Sequence, residues 1–446
     1  MMPNLSIFGT SSDAGKSTLT WLIGRILQEA GITVAPFKAQ NVSNNAHVAD
    51  DGSEISIAQH FQAKALGVET SWHNNPVLLK SGRGSSASLI VAGQAVAEKD
   101  VRAYYRDLDT LKPTVKEAFE SLDARYDCVI AEGAGSPVEL NLMDKDLSNI
   151  YIATTFKTKI ILVADIEKGG VFASIYGVYH LLPPALRANV IGVIVNKFRG
   201  DMGLFDEGVT IIEEAFGIPV LGVLPYIPFN LGFEDAQSLR NYVQDCSAAT
   251  RHVAVIHYPT MSNYTDFEPL LADSNTCVEF VQSNIDLSGF ACIILPGSKL
   301  VMQDLQWLKS TGLFAQIQRH YKAGEIHIIG ICGGYEKLFE KIIDAGCVEV
   351  SEPTQMEGLG FIDDEIHFQK EKILKTQGDK YEIHHGTSQK YPQEYKTQNV
   401  YGTFSHGLFI DAWFKKYEEE QINAFVEKMR TYLKREKLLS YFHGDA

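Results

Sequence analysis

Residues 326–338 read IHIIGICGGYEKL. Ile326, Ile328, Ile329 and Ile331 make an apolar run that ends at Cys332. After two glycines, apolar residues recur at Tyr335, Leu338, Phe339, Ile342 and Ile343. The pattern predicts a buried strand, a tight turn and a helix, the unit from which α/β sheets are built. Cys332 stands at the turn, with Gly330 two residues before it and Gly334 two after. This G-x-C-x-G is the cysteine form of an elbow that presents a nucleophile at a strand end: glycines relieve the crowding, and a helix N-terminus favours the thiolate.

Two other stretches supply what a thiol nucleophile needs. ACIILPGS, residues 291–298, predicts a second buried strand running into a Pro-Gly-Ser turn. Backbone N–H groups of Gly297 and Ser298, with that of Gly333, are candidates to hold an oxyanion. YGTFSHGLF, residues 401–409, sets His406 after a short aromatic strand as a general base. Together these residues resemble a class I glutamine amidotransferase domain. The resemblance implies a flavodoxin-like fold, glutamine as a partner and a thioester on Cys332. The position two beyond the histidine, often a carboxylate in such domains, is Leu408, so the resemblance is to the branch with a Cys-His pair, as in the corrinoid amide synthases. Glu336 stands where a glutamine is usual.

A chain of 446 residues exceeds the usual size of one domain, and its apolar content serves two cores. A net charge of -15 excludes nonspecific nucleic-acid binding and requires any anionic substrate to meet a local basic pocket. The six cysteines form no CxxC pair and lie mostly in apolar runs, which predicts reduced thiols. No leader pattern or membrane-length apolar run is present, so a soluble cytoplasmic protein without membrane partners is expected. The sequence leaves the oligomeric state open.

LSIFGTSSDAGKST, residues 5–18, is an apolar strand followed by a glycine loop. Leu19, Leu22, Ile23, Ile26, Leu27 and Ala30 then recur at helical spacing. Strand, loop and helix in this order point to a phosphate-binding loop for ATP, one residue longer than the standard G-x-x-x-x-G-K-[ST] because Gly9 comes early. Thr10, Asp13, Gly15, Lys16, Ser17 and Thr18 are the candidate phosphate contacts, with Ser17 ligating Mg²⁺. KAQNVSNNAHVADDGSEI follows the next strand and offers Lys38 for a phosphate or substrate carboxylate and Asp51 or Glu54 for the Mg²⁺ shell. Glu132, ending the strand at 128–131, suits a Mg²⁺ ligand, and Asn196, ending the strand at 190–195, suits a nucleobase edge. Lys80, Arg83 and Arg199 are further cations for a polycarboxylate substrate. The expected architecture is therefore α/β in two domains. Residues 1–247 form a P-loop, mostly parallel sheet with helices on both faces, and residues 248–446 the amidotransferase domain. The basic ribbon at 367–386 reads as solvated, and the helix at 417–439 as packing on its own domain.

KAQNVSNN, NNPVLLK, EGAGSPVELNL, VADIEKGGVFAS, VIVNKFRGD and VLGVLPY occur in order, followed by SNYTDFEPL, LPGSK, GICGGY, YEIHHG and GTFSHGLF. This ordered set resembles the cobyric acid synthase family, whose first domain is dethiobiotin synthetase-like. The resemblance implies ATP- and glutamine-dependent amidation of the b, d, e and g carboxylates of adenosylcobyrinic acid a,c-diamide in cobalamin synthesis. Departures are NNPVLLKS, without the proline usual after its lysine, and LPGSKL, without the asparagine usual after the turn. Two alternatives stay open: an a,c-diamide synthase or an amidotransferase on another polycarboxylate, and a ParA-like regulatory protein whose amidotransferase half is inactive.

Overall fold

The structure is a computed structural model that describes residues 2–81, 86–100, 104, 108–232 and 244–442. Its first sheet is all parallel, in the order Val220–Pro225, Val190–Phe198, Lys159–Asp165, Leu5–Gly9, Cys128–Glu132 and Val34–Phe37. Leu5–Gly9 and Cys128–Glu132 are buried along their whole length, because helices cover both faces and no position faces water. The helix Lys16–Glu29 packs Leu19, Leu22, Ile23, Ile26 and Leu27 on this sheet, at the spacing read from the sequence.

The second sheet runs Thr276–Val281, Arg251–Ile256, Cys292–Leu295, His327–Ile331, Val400–Thr403 and Glu394–Lys396, parallel except for the last strand. Both expected strands of the thiol site are therefore neighbours, since Leu295 pairs with Gly330. A separate sheet, Thr354–Glu357, Phe339–Asp344, Ile362–Gln377 and Lys380–Thr387, leans against it.

Four expectations are corrected here. The helix after Cys332 is one turn, Gly333–Glu336, and residues 339–344 are a strand. The carbonyls of Lys337 and Leu338 accept from Leu359 and Phe361, so long-range pairing takes over where the helix would have continued. Ile342 and Ile343 then pair with Met356 and Gln355, a place β-branched side chains favour.

Second, the C-terminal helix Ala412–Met429 begins beside Asp379 of its own half but buries its later turns in the other. Phe425, Val426, Met429, Leu433, Leu438 and Phe442 are buried in the first core, and the Phe425 ring packs at a tilt 5.5 Å from Trp21 and 4.8 Å from Phe229. Apolar side chains of this size contribute about 1.5–3 kcal/mol each when buried. The half-exposed pairs of Arg430 and Arg435 with Glu29 are each worth at most about 1 kcal/mol, so burial decides where the segment docks.

Third, Cys246 and Cys277 are joined by a disulfide, closing the entry to the second half, so not all six cysteines are thiols. Fourth, the basic ribbon is only partly solvated. Lys372 is buried against Glu54, and Ile383, His384 and His385 line the cavity at Cys332.

Candidate active site

Two cavities open where the halves meet. The larger, about 1320 Å³, lies at the C-terminal ends of the first sheet's strands, where open α/β sheets bind ligands. Asp13 and Gly15 in its wall hold positive φ, 57° and 98°, which curls the loop around the start of the helix Lys16–Glu29. Lys16 Nζ reaches the Gly135 carbonyl at 3.0 Å, tying the loop to the turn after Glu132. Asn196 Nδ2 donates to the Ala14 carbonyl at 2.9 Å, so this side chain buttresses the loop from below rather than standing ready for a base. Thr18 lines the cleft, whereas Thr10 is spent in the sheet, its N–H bonded to Val163.

Ser17 Oγ donates to Glu132 Oε1 at 2.8 Å, and Lys38 Nζ lies 2.8 Å from the same oxygen. Gln62 Nε2 donates to the other oxygen at 2.6 Å. Burial alone would raise Glu132, but the Lys38 ammonium and these donors more than reverse it and hold the carboxylate ionised. A serine hydroxyl and an ionised carboxylate oxygen side by side at a phosphate loop fit a Mg²⁺ ion that takes its other ligands from phosphate and water.

The other expected Mg²⁺ ligands do not reach this site. Asp51 caps an exposed turn, accepting from Ser53 and from the Trp72 N–H at 3.3 Å. Glu54 is fully buried between Lys80 at 2.7 Å and Lys372 at 2.8 Å. Lys80 is likewise misplaced as a partner of Lys38: it lines the smaller cavity instead. The sheet that carries it, Gln40–Val42, Val77–Ser81, Ser86–Val91 and Gln94–Asp100, turns it toward the second half. Arg199 stacks 3.7 Å from Tyr226 and pairs with Glu167 at the surface. Arg83 lies outside the described residues.

The smaller cavity is lined by Cys332, His406, Ser298, Gly333 and Glu336, and also by Asn44 and Lys80 of the first half. Cys332 has φ 51° and ψ -115°, a strained conformation for a residue with a side chain, which aims the thiol away from the strand. A Cβ on Gly334 would overlap the Leu295 carbonyl, so glycine is required there by close approach. The Cys332 Sγ lies 3.4 Å from the Ile383 carbonyl. Gly297 packs under His406, and the Ser298 N–H lies beside Gly333, as an oxyanion pair needs.

His406 is buried. Its Nδ1 lies 2.7 Å from Asp266 Oδ2, and Asp266 Oδ1 accepts from the Gly407 N–H at 2.8 Å. Burial disfavours the imidazolium, but Asp266 and the Cys332 sulfur outweigh it and lift the ring to about 10. Asp266 is the residue the sequence reading missed. It sits in SNYTDFEPL, far from the histidine in the chain, and the only signal was a carboxylate in a quoted motif with no role attached.

Asn263 was missed as well. Its N–H donates to Asn45 Oδ1 at 2.5 Å, its Oδ1 accepts from the Ala46 N–H at 3.2 Å, and its Nδ2 lies 3.0 Å from His406 Nε2. KAQNVSNN thus touches the histidine's neighbour, and Asn44 lines both cavities.

Glu336 is buried, with Oε1 accepting from the Gly386 N–H at 3.2 Å. Burial, then the nearby Glu349, push its carboxyl up to about 8. At neutral pH it is an uncharged carbonyl and hydroxyl, close in shape and hydrogen bonding to the glutamine usual there.

The family profile described as the CobQ/CobB/MinD/ParA nucleotide binding domain matches residues 5–232, and that of the CobB/CobQ-like glutamine amidotransferase domain matches 252–414. The chain is 59% identical to the cobyric acid synthase of Acinetobacter baylyi, over 96% of this chain and 97% of that one. It is 40% identical to the probable cobyric acid synthase of Methanoculleus marisnigri, over 91% and 87%, and 38% identical to that of Chlorobium phaeobacteroides strain BS1, over 93% and 90%. No helix among the described residues is long and apolar enough to cross a membrane.

Proposed function

Because the chain belongs to the cobyric acid synthase family, we propose that it converts the b, d, e and g carboxylates of adenosylcobyrinic acid a,c-diamide to amides, using ATP and glutamine. The observation that carries this reading is the sharing of Asn44 by a phosphate-loop cleft and a thiol pocket, which sets a nitrogen donor beside an acid activator. Residues 1–247 would serve ATP and the corrinoid, and residues 248–446 glutamine.

A carboxylate has no good leaving group. Transfer of the ATP γ-phosphoryl to it gives an acyl phosphate and ADP, and catalysis of that step is mostly positioning and charge neutralisation. Lys16 meets the outer phosphates, and Lys38 orients a phosphate or the substrate acid. Ser17 and Glu132 would hold Mg²⁺, whose role is to neutralise charge on the phosphates. In the thiol pocket, the Cys332 thiolate attacks the glutamine amide carbon. The N–H groups of Ser298 and Gly333 face the oxyanion, and His406 gives its proton to the departing ammonia. Water then hydrolyses the thioester to glutamate. Ammonia attacks the acyl phosphate and expels phosphate. Ammonia that escaped to solvent would be protonated and inert, which favours a short route between two cavities that share Asn44 as a wall.

The test is mass spectrometry of the corrinoid after incubation with ATP, Mg²⁺ and either glutamine or ammonia. Cys332→Ala is expected to lose amidation from glutamine alone, and Lys16→Ala from both sources. Product stopping at the a,c-diamide stage, or ATP hydrolysis indifferent to corrinoid and glutamine, would overturn the reading.

A further inference from the structure

The pocket at Cys332 carries more positive charge than its chemistry uses. Lys80, Lys299 and Lys372 all line it. Glu54 takes two of them: Lys372 Nζ is 2.8 Å from Oε2, and Lys80 Nζ is 2.7 Å from Oε1 as an ion pair outside hydrogen-bond alignment. Lys299 Nζ reaches only the Ser88 hydroxyl, at 3.2 Å, and has no carboxylate within ion-pair distance among the described residues. Three ammonium groups therefore share one fully buried carboxylate. Burial first, and then Lys372 and Lys80, pull Lys299 down to about 8; Lys80 is lowered too, by burial more than by Lys372.

The remaining acids of the pocket offset this charge only in part. Burial raises Glu349 to about 7, and its two oxygens already accept the N–H groups of Val301 and Met302. Glu336 is largely uncharged at neutral pH. In a chain of net charge -15, a buried excess of cations persists only where an anion joins it.

We propose that Lys80, Lys299 and Lys372 form the seat for the α-carboxylate of glutamine, with Lys80 supplied by the other half of the chain. The inference rests on the reading of Cys332 as the glutaminase nucleophile. It names what grips the substrate there. With the amide carbon at the thiol, two methylenes and the α-carbon carry the carboxylate deeper into the same cavity. Glu336 and Glu349 line that cavity as well. At about 50 Å³ the pocket is far too small for a corrin ring or a triphosphate, and side chains must move aside to admit glutamine. Lys80 and Glu54 belong to the first half, and Ser88 anchors Lys299 from there, so the seat is complete only with the halves docked.

The experiment uses the full chain with Lys80→Met, which keeps the aliphatic stem and removes the charge. One charge-assisted hydrogen bond is worth about tenfold to a hundredfold in affinity. The glutamine KM of glutaminase should rise by that factor with little change in kcat, while amidation driven by ammonia is retained. A second readout needs no turnover. Cys332 should be alkylated by iodoacetate faster, relative to iodoacetamide, than a model thiol, and the ratio should fall about tenfold in the variant. An unchanged KM and ratio, or equal loss from both nitrogen sources, would overturn the proposal. Should Lys80→Met fail to fold, Lys299→Gln must give the same shifts, because among the described residues its charge has only a hydroxyl partner. A wild-type thiol that prefers iodoacetate yet releases no glutamate would refute the glutaminase reading and leave the anion seat standing.

Discussion

Asp266→Asn separates a catalytic pair from a triad. In the structure Asp266 is buried, accepts from the Gly407 N–H at 2.8 Å and holds His406 Nδ1 at 2.7 Å. The ring is lifted from 6.5 to about 10, against the pull of burial. Asp266 is the larger of the two groups that raise it, and losing its charge costs about 1.5–3 kcal/mol, the worth of a hydrogen bond to a charged group, or roughly tenfold to a hundredfold. Asparagine adds a second penalty. Its Nδ2–H would face Nδ1 and force the proton onto Nε2, the atom that must receive the thiol proton, an inversion that costs a serine triad about 10⁴ in kcat. Glutamate release should therefore fall by between about 10² and 10⁴, with the folded state and ammonia-driven amidation retained. Steady-state glutamate release, measured beside amidation from ammonia, is the assay. A glutaminase kcat within about threefold of wild type would refute the claim that Asp266 holds the base in its working tautomer.

Further predictions concern Glu336, the C-terminal segment and the cysteines. Glu336, with its carboxyl at about 8, is neutral below that pH and gains charge above it, so glutamine KM should rise as pH passes 8. Lys299, also at about 8, loses charge over the same range, so Glu336→Gln should shift this alkaline limb upward without abolishing it; an unshifted KM profile would count against Glu336 in the pocket. Phe425→Ala opens a cavity against Trp21 and Phe229 and should destabilise the first half by about 3–5 kcal/mol, read by denaturant unfolding followed through Trp21. A loss under about 1 kcal/mol would place the segment elsewhere. Thiol titration of the denatured, unreduced chain should find the four free cysteines 128, 292, 332 and 347; six would refute the Cys246–Cys277 bond.

The phosphate loop, the nucleophile elbow and the alternation of strand and helix were legible because each is a local pattern. A loop that wraps a phosphate, or a turn that exposes a thiol, is specified by glycines and polar residues within a few positions of one another. Lys16, Ser17, Glu132, Cys332 and His406 could be picked out for that reason. Local pattern misled where distant chain competes for the same backbone. The apolar spacing after Cys332 suits a helix, yet pairing with residues 354–357 and 362–377 makes it a strand. The charged C-terminal helix suits its own domain, yet the groove at Trp21 buries it.

By itself, then, the sequence determined the two α/β units and their order, and it marked the candidate reacting groups in each. Which charges face one another was settled only by tertiary structure. Asp266 reaches His406, Asn45 reaches Asn263, and Lys80 leaves the phosphate side for Glu54, Lys372 and the thiol pocket. Those meetings join residues up to hundreds of positions apart, and they depend on how two sheets dock. Electrostatic attraction acts through space over a few ångströms, and distance along the chain carries no record of it.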